Sequence, residues 1–214
     1  MRLDHVSYAT SHENISDVVQ RLGSLLAVEF TDGGIHPRFG TRNFTAPLSD
    51  AMYIEVVCPL DHPAADATPF GMAVSSKSNL GGGWLAWAFA TEKIQMIEEK
   101  IGRKSLQGSR KKPDGSILTW KQLGVLEILE APELPFFVEW EGAVHPSDSS
   151  DSKISISEIH FAQKNPLEHS AFGAEIDLSL KNRNIKISVV ESEFSDRGIV
   201  AVTFSTSSGL IKVD

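Results

Sequence analysis

Leu3-Asp4-His5-Val6-Ser7-Tyr8-Ala9-Thr10 and Trp84-Leu85-Ala86-Trp87-Ala88-Phe89-Ala90-Thr91 state one pattern twice. Each stretch alternates like a strand and runs into a segment of helical spacing. Each unit then closes on an apolar strand, Met52-Tyr53-Ile54-Glu55-Val56-Val57 in the first and Pro135-Phe136-Phe137-Val138-Glu139-Trp140 in the second. A repeated strand-helix-strands unit implies two modules packed about a pseudo-symmetry axis, with a site where they meet.

Between those strands, Ile15, Val18, Val19, Leu22, Leu25 and Leu26 follow the i, i+3, i+4, i+7 spacing of a helix, which Thr10 or Ser11 can cap. An extended Val28-Glu29-Phe30-Thr31, a turn at Asp32-Gly33-Gly34 and an extended Thr41 to Pro47 lead to the strand carrying Glu55. In the second unit Ile94, Ile97 and Ile101 form a helix face that Gly102 ends, and Pro113-Asp114-Gly115 joins Ser105–Gly108 to Ile117–Trp120 as a hairpin. The predicted organisation is a first module over 1–60, a linker rich in Pro, Ala, Ser and Gly over 61–83, and a second module over 84–145. The polar run Ser147 to Ser152 then leads to a C-terminal segment over 153–214 that resembles a reduced third copy. The fold class is α+β, two βαβββ modules forming a cup-shaped mixed sheet with an added C-terminal half-module.

At 214 residues, 41% hydrophobic and 22% charged, the chain can bury a substantial core. A formal net charge of −8 argues against a nucleic-acid surface, which needs clustered Lys and Arg. The dense basic run Arg110-Lys111-Lys112 reads as a solvated hairpin end. The single cysteine, Cys58, lies in an apolar run and reads as a small buried hydrophobe, not part of a disulfide framework. Without a signal-peptide core or a stretch of ~18 apolar residues, the expectation is a cytoplasmic protein without a membrane partner, monomeric or homodimeric.

Alternation puts Tyr53, Glu55 and Val57 on one strand face and Phe137, Glu139 and Glu141 on another. A carboxylate within such apolar strands is costly to bury unless it is paired, hydrogen-bonded or on a metal. Laying His5 on Ala86 and Glu55 on Glu139 gives offsets of 81 (86 − 5) and 84 (139 − 55) residues, close enough for both modules to feed one polar site. Plainer readings stand beside this one. His5 also reads as a core histidine, the two glutamates as ion-pair partners of Arg38 or Arg42, and the tryptophans as core, with Trp87 also suiting a pocket wall.

These residues resemble the vicinal oxygen chelate superfamily, the group of glyoxalase I, extradiol dioxygenases and bleomycin-resistance proteins. More narrowly, His36-Pro37-Arg38-Phe39-Gly40-Thr41-Arg42-Asn43, Tyr53-Ile54-Glu55 and Leu134 to Trp140 resemble the glyoxalase-like domain family of largely uncharacterised bacterial proteins. The resemblance implies a divalent metal, Zn, Mn, Ni or Fe(II), held by the first and last strands of each module. Carried onto this sequence, the ligand positions are His5, Glu55, Ala86 and Glu139. Ala86 cannot bind a metal, which leaves His5, Glu55 and Glu139.

The same resemblance implies Lewis-acid chemistry on a small oxygenated substrate, with Glu139 or Glu55 as catalytic base. His36, Arg38, Asn43, Trp87 and Phe137 are the candidate substrate contacts, with a structural turn as the plainer reading of His36, Arg38 and Asn43. His145 is expected near the rim, while His160 would supply the missing ligand only by folding the tail across the cup. Two functions stay open: a metal-dependent lyase, isomerase or dioxygenase, and a resistance-type protein that sequesters a small molecule in the same cup without catalysis or metal.

Overall fold

The computed structural model describes residues 1–142, 145–148, 151–191 and 197–214, so Ser149 and Ser150 of the polar run lie outside the described residues. The first module comprises β1 (Arg2–Ala9), α1 (Ile15–Leu26), β2 (Thr31–His36), β3 (Thr41–Pro47) and β4 (Tyr53–Pro59). The second comprises β5 (Gly83–Ala90), α4 (Ile94–Ile101), β6 (Leu106–Lys111), β7 (Ile117–Leu123) and β8 (Phe136–Glu141), with a short α5 (Glu127–Glu130) before β8. α1 buries Ile15, Leu22 and Leu26, as its spacing requires. It starts after Asn14, whose N–H donates to Ser11 Oγ at 3.2 Å, and α4 ends at a left-handed Gly102.

The eight strands close completely, in the order β1-β4-β3-β2-β6-β7-β8-β5, so the expected cup is a barrel. β1 and β5 run antiparallel at the junction of the modules. Val6 faces Trp87 there, with His5 opposite Ala88 on one side and Ser7 opposite Ala86 on the other. That arrangement places a pseudo-twofold axis between Val6 and Trp87 and makes His5 the counterpart of Ala86, as the first offset implies. In the parallel pairs Ser7 lies beside Glu55 and Ala88 beside Phe136. The counterpart of Glu55 is therefore Phe136, at the same offset of 81 (136 − 55), and not Glu139.

The expected turn at Asp32-Gly33-Gly34 is instead the middle of β2; the turn falls at residues 37–40. These glycines serve close approach. A Cβ on Gly34 would lie 1.9 Å from the Lys111 carbonyl oxygen, and one on Gly33 2.1 Å from Asn43 Oδ1. Small residues here let β2 meet β6 at Ile35–Lys111 and shut the barrel.

The expected linker over 61–83 carries two helices, α2 (Pro63–Ala67) and α3 (Pro69–Asn79). Each begins with a proline behind a side-chain cap, His62 Nδ1 accepting from the Ala64 N–H and Thr68 Oγ1 from the Gly71 N–H. The tail forms β9 (Ser155–Ala162), α6 (Pro166–His169), α7 (Gly173–Lys181), β10 (Lys186–Val190), β11 (Gly198–Thr206) and β12 (Gly209–Val213). Its elements follow the module's sequence with two helices in place of one between the first strand and the next three, but its sheet order is β10-β9-β11-β12.

That sheet covers the outside of the β1–β5 seam. Trp87 packs on Phe161 with ring centroids 5.0 Å apart, and Trp84 Nε1 donates to the Val213 carbonyl at 2.9 Å. Each large side chain so buried contributes about 1.5–3 kcal/mol. The seam's outer face is thus spent on core, and only its inner face is left to form a site. Cys58 is fully buried, and burial pushes its thiol up to about 11, so it stays a protonated hydrophobe as expected.

Candidate functional site

A narrow cavity opens inside the barrel, about 400 Å³ with the space at its mouth included. Module one supplies a polar wall of His5, His36, Asn43, Tyr53 and Glu55; module two supplies Trp120, Phe136, Val138 and Trp140, with Arg110 and Gln122 as its polar members. Phe39 and the α3 residue Phe70 complete the lining.

Glu55, 5% exposed, accepts from Ser7 Oγ and from Asn43 Nδ2, both at 2.6 Å. Burial pushes its pKa up, but the neighbouring His5 and His36 rings and these two hydrogen bonds outweigh burial and hold it below the usual carboxylate range. A register shift between Leu3 and His5 marks a bulge in β1, and it brings Asp4 into the same buried layer as His5. Asp4 Oδ2 pairs with His5 Nδ1 and Oδ1 with His145 Nε2, each at 2.9 Å, and Arg2 and the Trp140 Nε1–H also reach this carboxylate. Burial again pushes upward, and the bonds from His145 and His5 overcome it, so Asp4 stays ionised. His5 itself stacks on Tyr53 at 4.5 Å. With Nδ1 committed to Asp4, its Nε2 has no hydrogen-bond partner among the described residues.

His36 pairs through Nδ1 with Thr41 Oγ1 at 2.8 Å and lies against Phe39, Phe70 and Trp120. Burial drives its pKa down to about 4; Glu55 opposes this, while Arg110 and His5 reinforce it. At neutral pH it is therefore an uncharged ring. Between the unfolded value near 6.5 and the folded value near 4 the unfolded chain binds a proton that the folded chain refuses, so stability rises with pH across that window. At ~1.36 kcal/mol per pK unit the contribution is about 3 kcal/mol, present above pH ~6.5 and lost as pH falls towards ~4. Denaturant unfolding at a series of pH values should show this slope and its loss in His36→Gln; an unchanged slope in the variant would assign it elsewhere.

Of the expected site residues, the cavity brings together His5, His36, Asn43 and Glu55. Glu139 is corrected to the outer face of β8, where Oε2 accepts from the Ile94 N–H at the start of α4 and Oε1 from Lys121 Nζ at 3.4 Å. Phe137 and Trp87 also point outward; Phe137 packs on Phe172, and Trp87 Nε1 donates to the Glu133 carbonyl. Arg38 is exposed and donates to the Gln107 carbonyl. His160 bonds to Ser188 and Thr203 in the tail sheet. Arg110 was expected in solvent and is 3% exposed, because strand alternation turns it inward while Lys111 points out. Applying the offset of 81 to both strands of the repeat identifies Phe136 from the sequence. Alternation with Glu55 marks Tyr53, whereas nothing local marks Arg110 or Gln122.

The four positions where the repeat would hold a metal are therefore His5, Glu55, Ala86 and Phe136, two of them hydrocarbon. Among the described residues no three His, Cys, Asp or Glu side chains are grouped to hold an ion. Glu55 already accepts from Ser7 and Asn43, His5 is turned to Asp4, and a guanidinium shares the cavity. A divalent metal does not fit this donor set.

A family model described as a glyoxalase-like domain matches residues 3–176. Solved structures similar to the chain include methylmalonyl-CoA epimerase from Mycobacterium tuberculosis, at 15% identity and a TM-score of 0.44, covering 67% of this chain and 89% of that one. A variant of the Streptomyces coelicolor methylmalonyl-CoA epimerase in complex with 2-nitronate-propionyl-CoA is 17% identical at a TM-score of 0.45, covering 68% of this chain and 96% of that one. A hypothetical protein from Bacillus halodurans C-125 is 16% identical at a TM-score of 0.43, with coverages of 69% and 98%. The comparison with curated proteins finds no match. Among the described residues no helix is long and apolar enough to cross a membrane.

Proposed function

The chain belongs to the glyoxalase-like domain family, and from that premise we propose that it binds a small oxygenated organic molecule inside the barrel without a divalent metal. One observation carries this reading: the repeat retains His5 and Glu55 in module one and has Ala86 and Phe136 at their counterparts in module two. Metal-dependent lyase, isomerase or dioxygenase chemistry needs at least three protein donors around an open position, and the four repeat positions offer two. What remains suits recognition. One wall carries hydrogen-bonding groups held in fixed orientations, and the other carries ring faces that exclude water.

Thermal unfolding tests the reading. Saturating small carboxylic acids, phenols or ketones should raise the Tm of the full chain; a ligand at ~100 times its Kd adds about 2.7 kcal/mol. Zn, Mn, Ni or Fe(II) should not stabilise it through the cavity. A metal-induced rise that Glu55→Gln abolishes and Glu139→Gln leaves intact would overturn the metal-free assignment. Failure of every organic ligand to shift Tm or the fluorescence of Trp120 and Trp140 would overturn binding itself.

A further inference from the structure

Arg110 is the cavity-wall cation whose hydrogen bonding the described residues leave incomplete. It comes from β6, is 3% exposed, and its Nε is buried without a hydrogen-bond partner among the described residues. Its one side-chain hydrogen bond there runs from NH1 to Asn43 Oδ1, and at 3.3 Å it is long. No carboxylate lies within ion-pairing distance of it among the described residues. Glu55 is near but spent: Asn43 stands between the two, accepting from Arg110 through Oδ1 and donating to Glu55 through Nδ2 at 2.6 Å. A guanidinium does not shed its charge in a protein, so burying it without a carboxylate partner carries a desolvation penalty that the long bond to Asn43 offsets only in part.

The missing counter-charge defines the ligand. Resting on the metal-free binding reading above, we propose that the barrel recognises a compact organic anion, a carboxylate on a flat aromatic or unsaturated body. The carboxylate accepts from the Arg110 guanidinium, a pairing whose planar fork a lysine cannot reproduce. The flat body rests against Trp120, Phe136 and Trp140, all of which line the cavity. His36, neutral at pH 7, and Gln122 line the same cavity from opposite modules and offer hydrogen bonds, while the Glu55 carboxylate is held by Ser7 and Asn43. The narrowness of the cavity restricts the body to about one ring.

Benzoate and its neutral isostere benzamide, titrated into the full chain with Tm and tryptophan fluorescence as readouts, test the assignment. Benzoate should raise the wild-type Tm and bind at least about tenfold more tightly than benzamide, the ratio expected for one hydrogen-bonded charge. Arg110→Met should abolish that preference and, with no ligand present, raise Tm by about 2–4 °C, because it removes an unpaired buried cation. If Arg110→Met does not fold, Arg110→Lys carries the test, and benzoate binding should weaken about tenfold there through loss of the fork. Equal affinity for benzoate and benzamide, or a marked fall in the ligand-free Tm of Arg110→Met, would overturn the anion assignment. Binding of other small oxygenated molecules but not benzoate would overturn it too while leaving the binding reading standing. If nothing binds, both fall.

Discussion

Replacing Asp4 by alanine is expected to cost about 3–5 kcal/mol, the range for removing one partner from a buried charge cluster. Four groups converge on this fully buried carboxylate: His5, His145, Trp140 and Arg2. Without it the buried His5 ring and the half-buried His145 ring and Trp140 indole N–H lose bonds that no other described residue replaces. Urea unfolding at pH 7 measures the loss, and a difference under about 1 kcal/mol would show that the cluster is not a stabilising unit. The sign of the pH dependence follows from the depressed folded pKa. Asp4 stabilises fully above the unfolded value near ~3.9, and that contribution fades as pH drops below it. The gap between wild type and Asp4→Ala should accordingly narrow in acid. Asp4→Asn keeps the shape and one acceptor and should fall between the two. Because Asp4 holds His5 by Nδ1, ligand affinity should drop even where Asp4→Asn remains folded.

Gly34→Ala is expected to be comparably damaging for an unrelated reason. Gly34 adopts φ +98°, and a Cβ there would lie 1.9 Å from the Lys111 carbonyl oxygen. Backbone strain of ~1–3 kcal/mol and overpacking of ~1–3 kcal/mol together predict a loss of about 2–6 kcal/mol. Gly115→Ala is the control, since φ is +85° but nothing lies within 4 Å of the added carbon. It carries the strain without the clash. Equal losses in the two variants would show that the contact between β2 and β6 contributes nothing. A larger loss in Gly34→Ala should come with weakened ligand binding, because β2 carries His36 and β6 carries Arg110 into the barrel.

The repeat, both helices and the Pro113-Asp114-Gly115 hairpin were legible because each depends on residues close in sequence. So was the polar wall of module one: His5 and Glu55 stood out as charged or polar side chains within apolar strands. The second wall differs by phase. Chemical likeness to Glu55 points to Glu139, at an offset of 84, while strand pairing holds the offset at 81 and turns Phe136 inward. One residue of parity likewise moved Phe137 and Trp87 to the outer core. Arg110 looked solvated in a basic run, yet alternation along β6 buries it beside two lysines that remain outside or at the surface.

The amino-acid pattern by itself determined two strand-helix-strands modules of one α+β fold, the place where they meet, and an alanine, Ala86, at the counterpart of His5. Hydrophobic period and turn chemistry are local properties, so they survive reading in one dimension. The tertiary structure alone decided which residues of those strands share the cavity. A strand's side chains alternate with a period of two, and which set points inward is settled by its hydrogen-bonded neighbours and by bulges such as the one at Asp4. That register leaves two donors, His5 and Glu55, at the repeat's four expected ligand positions and turns Arg110 into the barrel, with no carboxylate in ion-pairing distance among the described residues.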